Sequence, residues 1–309
     1  MPASPRSATS GSRVSATTAV PAWFSEALAT PYQRHDLEVE GARIAYRTWG
    51  KVGDPVVVLV HGGAAHAGWW DHVAPFLATS HRVVALDLSG HGDSDWRRAY
   101  DLSLFAREVV AVAEAETVGG TGPAEMMPAV IGHSMGGFVT LTAAREHGAR
   151  LSGACAIDSP VQQMSPETRA WKESGRHVPG NKVYPSWEAV VGRFRTLPPD
   201  DASLPYVREH VAAASVHEVE GGWTWKFDPH VFLSAQMEPD DVAETDCPTA
   251  LVRGERGMAT TDITTTVAAR LGGHVPVTVI PDAGHHIMLD QPVALISALQ
   301  ALVGEWFRR

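Results

Sequence analysis

The stretch Val130-Ile131-Gly132-His133-Ser134-Met135-Gly136-Gly137 decides the fold prediction for this chain. An apolar run leads into it and an alanine-rich run, residues 138–147, leads out of it, which predicts a strand, a sharp turn and a helix. Ser134 lies at the turn, where the backbone is strained and only residues without side chains can flank it closely. Gly132 and Gly136 provide that clearance. The pattern therefore indicates a serine nucleophile whose hydroxyl stands clear of a sheet, with the Met135 N–H facing a developing oxyanion.

Working outward from this turn, apolar runs typical of buried parallel strands alternate with stretches of helical pattern. Such runs are found at residues 55–60, 82–86, 152–157, 249–253 and 275–280. Near the start, residues 36–40 and 43–49 alternate around Gly41, which predicts an antiparallel hairpin at a sheet edge. Together they predict an α/β fold with a mostly parallel sheet flanked by helices.

The alternation of parallel-strand runs and helical patterns stops between residues 161 and 244. That segment holds helical pieces, prolines and bulky aromatic residues, and it predicts a mainly helical cap inserted into a core formed by residues 31–160 and 245–309. Trp223 and Trp225 are candidates to line an apolar substrate pocket there. Residues 1–30 begin with serine, threonine, alanine and proline, and we expect them to form a disordered tail.

Composition narrows the classes of partner. With 309 residues, 44% of them hydrophobic, the chain can bury a large core. A net charge of −10 argues against nucleic acid or an anionic membrane as partner, and no stretch is long and apolar enough to span a bilayer. We expect a small-molecule substrate as the partner, with a homo-oligomer as a further possibility.

The two cysteines, Cys155 and Cys247, lie in or next to strand-like runs, and we expect buried thiols in a reducing, cytoplasmic compartment. The fifteen histidines are scattered without the spacing of a metal motif, so neither a metal nor another cofactor is expected.

Four motifs together resemble the α/β-hydrolase superfamily, and in particular its serine-nucleophile branch of esterases and lactonases. They are His61-Gly62-Gly63, the loop 87–94, the turn 132–137 and Ala283-Gly284-His285, in the order and spacing of that superfamily. The resemblance covers residues 37–307 and implies an eight-stranded type of sheet. It also implies that Ser134 is the nucleophile, that His285 is its base, and that the N–H groups of Gly63 and Met135 form the oxyanion hole.

The resemblance implies no chemical role for three other polar residues near these motifs. His61 is expected to hold its own loop by hydrogen bonds. His133 is expected to fill space beside the nucleophile, and Asp93 to shape the wall of the site.

The acid of the expected triad has three candidates on chain order: Asp158, Glu255 and Asp262. The commoner family position is the fourth place of a Gly-x-x-Asp turn after the strand 249–253. Here that turn is Gly254-Glu255-Arg256-Gly257, with glycine in the fourth place. Asp158 ends the strand that follows the nucleophile helix, which puts it on the same rim as Ser134, so we prefer Asp158. Glu255 is the alternative, while Asp262 is expected to be the N-cap of the next helix.

Three functions are compatible with these residues. The first is a cofactor-free serine hydrolase that cleaves a carboxylic ester or lactone with an apolar body through an acyl-enzyme on Ser134. The second is a carbon–carbon bond hydrolase of the same fold, which would use the same residues. The third, a non-catalytic ligand-binding protein, does not need an intact nucleophile, base and oxyanion loop.

Overall fold

A mixed eight-stranded sheet organises the fold. The computed structural model describes residues 19–117, 127–174, 178–199, 202–233 and 236–308. The sheet order is β1-β2-β4-β3-β5-β6-β9-β10, in which β1 and β2 are antiparallel to their neighbours and the other strands run parallel. The prediction of an α/β fold with a mostly parallel eight-stranded sheet is confirmed, and so is the antiparallel hairpin at one edge.

The strands are β1 Gln33–Val39, β2 Ala42–Trp49, β3 Val56–Val60, β4 Arg82–Leu86, β5 Ala129–His133, β6 Gly153–Ile157, β7 Val216–Val219, β8 Gly222–Trp225, β9 Thr249–Gly254 and β10 Val277–Ile280. The helices are α1 Ala22–Ala29, α2 Ala74–Leu77, α3 Leu102–Glu116, α4 Met135–His147, α5 Pro166–Glu173, α6 Trp187–Val191, α7 Pro205–Ala214, α8 Thr261–Arg270, α9 Ile287–Asp290 and α10 Pro292–Trp306.

The central strands are buried on both faces. In β3, Val57 and Leu59 pack into one apolar cluster, together with α1 and α10. Val58 and Val60, one residue out of phase, pack into a second cluster on the opposite face, with α3 and α4. Because successive side chains of a strand point to opposite faces, a continuous β-branched run is what a sheet covered on both sides requires.

The chain forms regular structure before the sheet begins, closer to its N-terminus than the sequence predicted. Residues 22–29 form the helix α1, and Phe24 is buried against Tyr206, with ring centroids 4.9 Å apart. The prediction of a disordered tail over residues 1–30 is therefore wrong for this helix, because its apolar face has a partner in α7. Residues 1–18 lie outside the described part of the chain.

Residues 161–244, here called the inserted segment, connect β6 to β9, which are neighbours in the sheet. The segment contains α5, α6 and α7, and also a two-stranded antiparallel sheet of β7 and β8 that the sequence pattern did not predict. It is tied to the loop after β4 by the Gly92 amide, which donates to the Lys226 carbonyl (2.8 Å), and by an ion pair between Lys226 Nζ and Asp93 Oδ1 (2.6 Å).

Among the described residues, no helix has both the length and the apolar character needed to cross a bilayer.

Phe105, on α3, provides a test of the packing described here because its side chain is fully buried in the cluster between α3 and the sheet. Phe105→Ala should lower the free energy of unfolding by about 3–5 kcal/mol, through lost burial and the cavity left behind. Trp96, about half exposed, is the control, and Trp96→Ala should cost less than about 1 kcal/mol. Guanidinium unfolding measures the free energy of unfolding of both variants. Equal losses in the two would contradict this packing.

Candidate active site

Ser134 joins β5 to α4 in a strained conformation, with φ 54° and ψ −118°. The strain is held by close backbone packing: a Cβ at Gly132 would meet the Gly136 carbonyl, and a Cβ at Gly136 would meet the carbonyls of Val60 and His61. The Ser134 amide also donates to the Ile157 carbonyl at 2.8 Å. Glycine is therefore the only residue type that fits at positions 132 and 136, as the sequence predicted. The two glycines leave the Ser134 side chain at the end of β5.

Three side chains form a continuous series of hydrogen bonds at the carboxyl end of the sheet. His285 Nε2 lies 3.0 Å from Ser134 Oγ, and His285 Nδ1 lies 2.6 Å from Asp158 Oδ2. Since a carboxylate can only accept, Nδ1 carries the proton and Nε2 is left to accept from the serine hydroxyl. Asp158 and His285 are buried, while Ser134 is partly accessible. This arrangement can activate a serine and stabilise the imidazolium that forms.

Asp158 follows β6 directly and is held by its surroundings. Its carboxylate accepts from the amides of Gly254 (3.1 Å) and Met258 (2.8 Å) as well as from His285. A Cβ at Gly257 would collide with this carboxylate. Gly257 thus leaves the space that the Asp158 carboxylate occupies beside His285.

The other two acid candidates lie elsewhere. Glu255 Oε2 accepts from the Asp282 amide at 3.0 Å on the surface of the β10 loop. Asp262 is exposed in the first turn of α8, and the expectation that it is the N-cap is wrong, because the Thr260 side chain accepts from the Ile263 amide there. Neither carboxylate forms a hydrogen bond to His285 in the described structure.

The loop after β3 passes directly over Ser134. A Cβ at Gly62 would lie 3.3 Å from Ser134 Cβ, and one at Gly63 would lie 3.7 Å from Met135 Sδ, so glycines allow the backbone this close. Met135 is the first residue of α4, where amides have no acceptor within the helix. The two residues predicted to supply oxyanion-hole amides therefore lie next to each other beside Ser134.

His61 holds this loop. Its Nε2 accepts from the Leu88 amide at 3.1 Å, so Nδ1 is protonated and donates to the Gly62 carbonyl at 2.7 Å. Burial lowers the pKa of His61 to about 4, which keeps the ring neutral and preserves both bonds. The structure gives His61 the loop-holding contacts expected from the sequence.

The loop that carries His285 is fixed on both sides. Asp290 Oδ2 accepts from the Gly284 amide at 2.9 Å, and His133 Nε2 lies 2.9 Å from the His285 carbonyl. His286 packs edge-on to His285, with ring centroids 4.7 Å apart, and burial lowers the pKa of His286 to about 3. The imidazoles around the base are thus neutral and do not add positive charge beside it.

Aromatic side chains extend from the base into the inserted segment. His286 contacts the buried ring of Trp69 (5.6 Å between centroids), Trp69 contacts Phe194 (6.3 Å), and Phe194 contacts Trp225 (6.3 Å). The other tryptophan candidate, Trp223, pairs with Tyr184 through two backbone hydrogen bonds of 2.8 Å.

Phe232, in the inserted segment, lies against the β3 loop at Gly63, and sequence analysis did not single it out. A Cβ at Gly63 would lie only 3.0 Å from Phe232 Cε1, and the ring is 43% exposed at the edge of the site. Asp93, in contrast, pairs with Lys226 and has no contact with the three hydrogen-bonded side chains in the described structure.

Cys155 and Cys247 are buried free thiols, and burial raises the pKa of Cys155 to about 12 and that of Cys247 to about 11, which disfavours the thiolate form of both. Among the described residues, no group of three or more His, Cys, Asp or Glu side chains is arranged to hold a metal ion.

Comparison with known proteins gives relatives along most of the chain. The chain is 27% identical over 271 residues to an esterase of Mycobacterium tuberculosis, a match that covers 86% of this chain and 88% of that protein. It is 41% identical over 123 residues to a monoacylglycerol lipase of Mycolicibacterium smegmatis, covering 37% of this chain and 40% of the lipase.

Solved structures agree with the observed fold. The M. tuberculosis esterase structure superposes with a TM-score of 0.69 at 21% identity, covering 91% of this chain and 96% of that one. The structure of E-2-(acetamidomethylene)succinate hydrolase gives a TM-score of 0.72 at 19% identity, covering 89% and 100%. At these identities the likeness shows the fold alone.

The family model of the alpha/beta hydrolases matches residues 57–298, which include the β3 loop, the Ser134 turn and the His285 loop. Since this match spans well over half of the chain and agrees with the observed sheet, the chain belongs to the alpha/beta hydrolase family.

Proposed function

We propose that this protein is a serine hydrolase that cleaves a carboxylic ester or lactone with an apolar body through an acyl-enzyme on Ser134. The observation that carries the proposal is the series of hydrogen bonds from Ser134 through His285 to Asp158. The similarity to an esterase over 86% of the chain and to a monoacylglycerol lipase over a shorter part supports ester cleavage.

In the first step, Ser134 Oγ attacks the carbonyl carbon while His285 Nε2 takes its proton. Asp158 keeps the His285 ring in the tautomer that can accept this proton and stabilises the resulting imidazolium. The carbonyl oxygen becomes an oxyanion and accepts from the Gly63 and Met135 amides, which are fixed before the reaction begins. Collapse expels the alcohol, which receives the proton from His285 and leaves an acyl-enzyme.

In the second step, His285 takes a proton from water, whose oxygen attacks the acyl carbon. The tetrahedral intermediate collapses to the carboxylic acid, and His285 returns the proton to Ser134 Oγ. With a lactone the alcohol stays attached, so the product is one opened hydroxy acid. The reaction requires no group beyond the three side chains, two amides and water.

An apolar substrate body fits the surroundings of Ser134. Phe232 lies on the Gly63 side of the nucleophile, and the aromatic side chains from Trp69 to Trp225 lie beyond the base. Apolar and aromatic linings with a few fixed polar groups are typical of small-molecule sites. A panel of chromogenic esters and lactones beside a ring-fission diketone tests the class: preference for the diketone would overturn ester or lactone cleavage.

Ser134 should react covalently with a fluorophosphonate probe, because an activated serine beside oxyanion donors attacks phosphorus as it attacks a carbonyl carbon. Peptide mass spectrometry should locate the adduct on Ser134. Ser134→Ala should abolish labelling and lower kcat by on the order of 10³-fold or more with the fold unchanged by circular dichroism. An adduct on another residue, or full activity in the variant, would remove Ser134 from the mechanism.

Asp158→Asn should lower kcat by about 10²- to 10⁴-fold, because an amide no longer selects the His285 tautomer that accepts the serine proton. Glu255→Gln is the matched control, since it makes the same change in a carboxylate bonded to a surface amide, and it should change kcat less than about threefold. Steady-state kinetics on two folded variants decide the question. The opposite ranking would make Glu255 the acid.

Phe232→Ala should raise kcat/KM for esters with bulky acyl groups relative to acetyl esters by about tenfold, because the ring restricts space beside the Gly63 amide. Trp171, of similar exposure on α5, is the control, and Trp171→Ala should leave the ratio unchanged. An unchanged ratio in Phe232→Ala would remove the ring from the substrate site.

The same ester series tests the two tryptophans of β8. Trp223→Ala and Trp225→Ala should each change the preference among esters of different size. If either variant instead slows every ester by one factor, that tryptophan belongs to the packing of the inserted segment.

A further inference from the structure

We propose that His133, the residue before the nucleophile, is a positioning residue that fixes the base His285 through its backbone carbonyl. The inference rests on the proposed function, because it assigns His133 to the same reaction. Its central observation is the 2.9 Å contact between His133 Nε2 and the His285 carbonyl oxygen, which connects the end of β5 to the loop after β10.

The direction of this hydrogen bond is fixed by chemistry. A carbonyl oxygen only accepts, so His133 must be protonated at Nε2. Nδ1 of the neutral ring then carries no proton, and it is buried with no hydrogen-bond partner in the described structure. It faces the backbone of Gly62, where a Cβ would lie 3.0 Å away. A protonated ring would place a second N–H at this position with no acceptor, so the neutral Nε2–H tautomer is the form that fits.

The bond acts where the geometry of the base is most constrained. The His285 ring must satisfy Asp158 at 2.6 Å and Ser134 at 3.0 Å at the same time, which leaves little freedom in the position of its Cα atom. On the N-terminal side, Asp290 holds the Gly284 amide; on the C-terminal side, His133 holds the His285 carbonyl. Without the second contact, the peptide after His285 can rotate, and the ring moves relative to both partners.

This role differs from filling space. A phenylalanine in place of His133 keeps a flat, slightly larger ring but cannot donate, whereas glutamine is less similar in shape but can place an N–H near the same carbonyl. His72 offers a matched control. It is also buried, its Nε2 also donates to a carbonyl (Met288, 2.7 Å), and its acceptor lies in α9, three residues beyond the base.

The experiment measures kcat and KM on a chromogenic ester for wild type, His133→Phe, His133→Gln and His72→Phe. We expect His133→Phe to lower kcat by about 10- to 100-fold with KM changed less than about threefold, because misplacing a reacting group costs turnover rather than ground-state binding. His133→Gln should recover most of the loss, and His72→Phe should keep the wild-type kcat.

Three results would overturn the proposal: wild-type kcat in His133→Phe, an equal loss in His133→Gln, or an equal loss in His72→Phe. A measurement on wild type remains decisive if the phenylalanine variant does not fold. Nitrogen-15 NMR should show His133 neutral and protonated at Nε2, and an Nε2 without a proton would rule out the bond. Failure of the proposed function is distinguishable, since wild type would then hydrolyse none of the esters.

Discussion

The constraint on which the site depends is the lack of space around the turn at Ser134. Ser134 adopts φ 54° because the surrounding backbone packs closely around the turn. Nearby carbonyls exclude any side chain at positions 132 and 136. Local strain of this kind costs about 1–3 kcal/mol, and the packed parallel strands on either side maintain it. The result is a hydroxyl at a fixed point on the rim, beside the first amide of a helix.

His285 and Asp158 are placed by the same sheet as Ser134. Parallel strands end on one edge, so the residue that directly follows β6 and the loop that follows β10 reach the same region as the residue that follows β5. Asp158 and His285 meet there at 2.6 Å, and the amides of Gly254 and Met258 stabilise the carboxylate. The inserted segment leaves the sheet at this edge and brings Phe232 against Gly63 in the β3 loop.

The parts that sequence patterns predicted are those governed by local spacing. Periodicity predicted the mostly parallel sheet. The glycine in the fourth place of the turn 254–257 favoured Asp158 as the acid, and in the structure the Asp158 carboxylate lies where a Cβ at Gly257 would be. The contact of Phe232 with Gly63 could not be predicted, because it depends on how a segment without a repeating pattern folds back. The hydrogen bond from His133 joins residues 152 positions apart, and the N-terminal helix depends on a partner in α7. In each case the missing information was tertiary.

We propose that catalysis proceeds through an ester bond to Ser134. The most direct measurement is rapid-quench mass spectrometry of the protein during hydrolysis of an activated aryl ester, for which acylation is fast. We expect the intact mass to rise by that of the acyl group before steady state, and peptide mapping should locate the group on Ser134. Turnover without any acylated protein, or an acyl group on another residue, would contradict it.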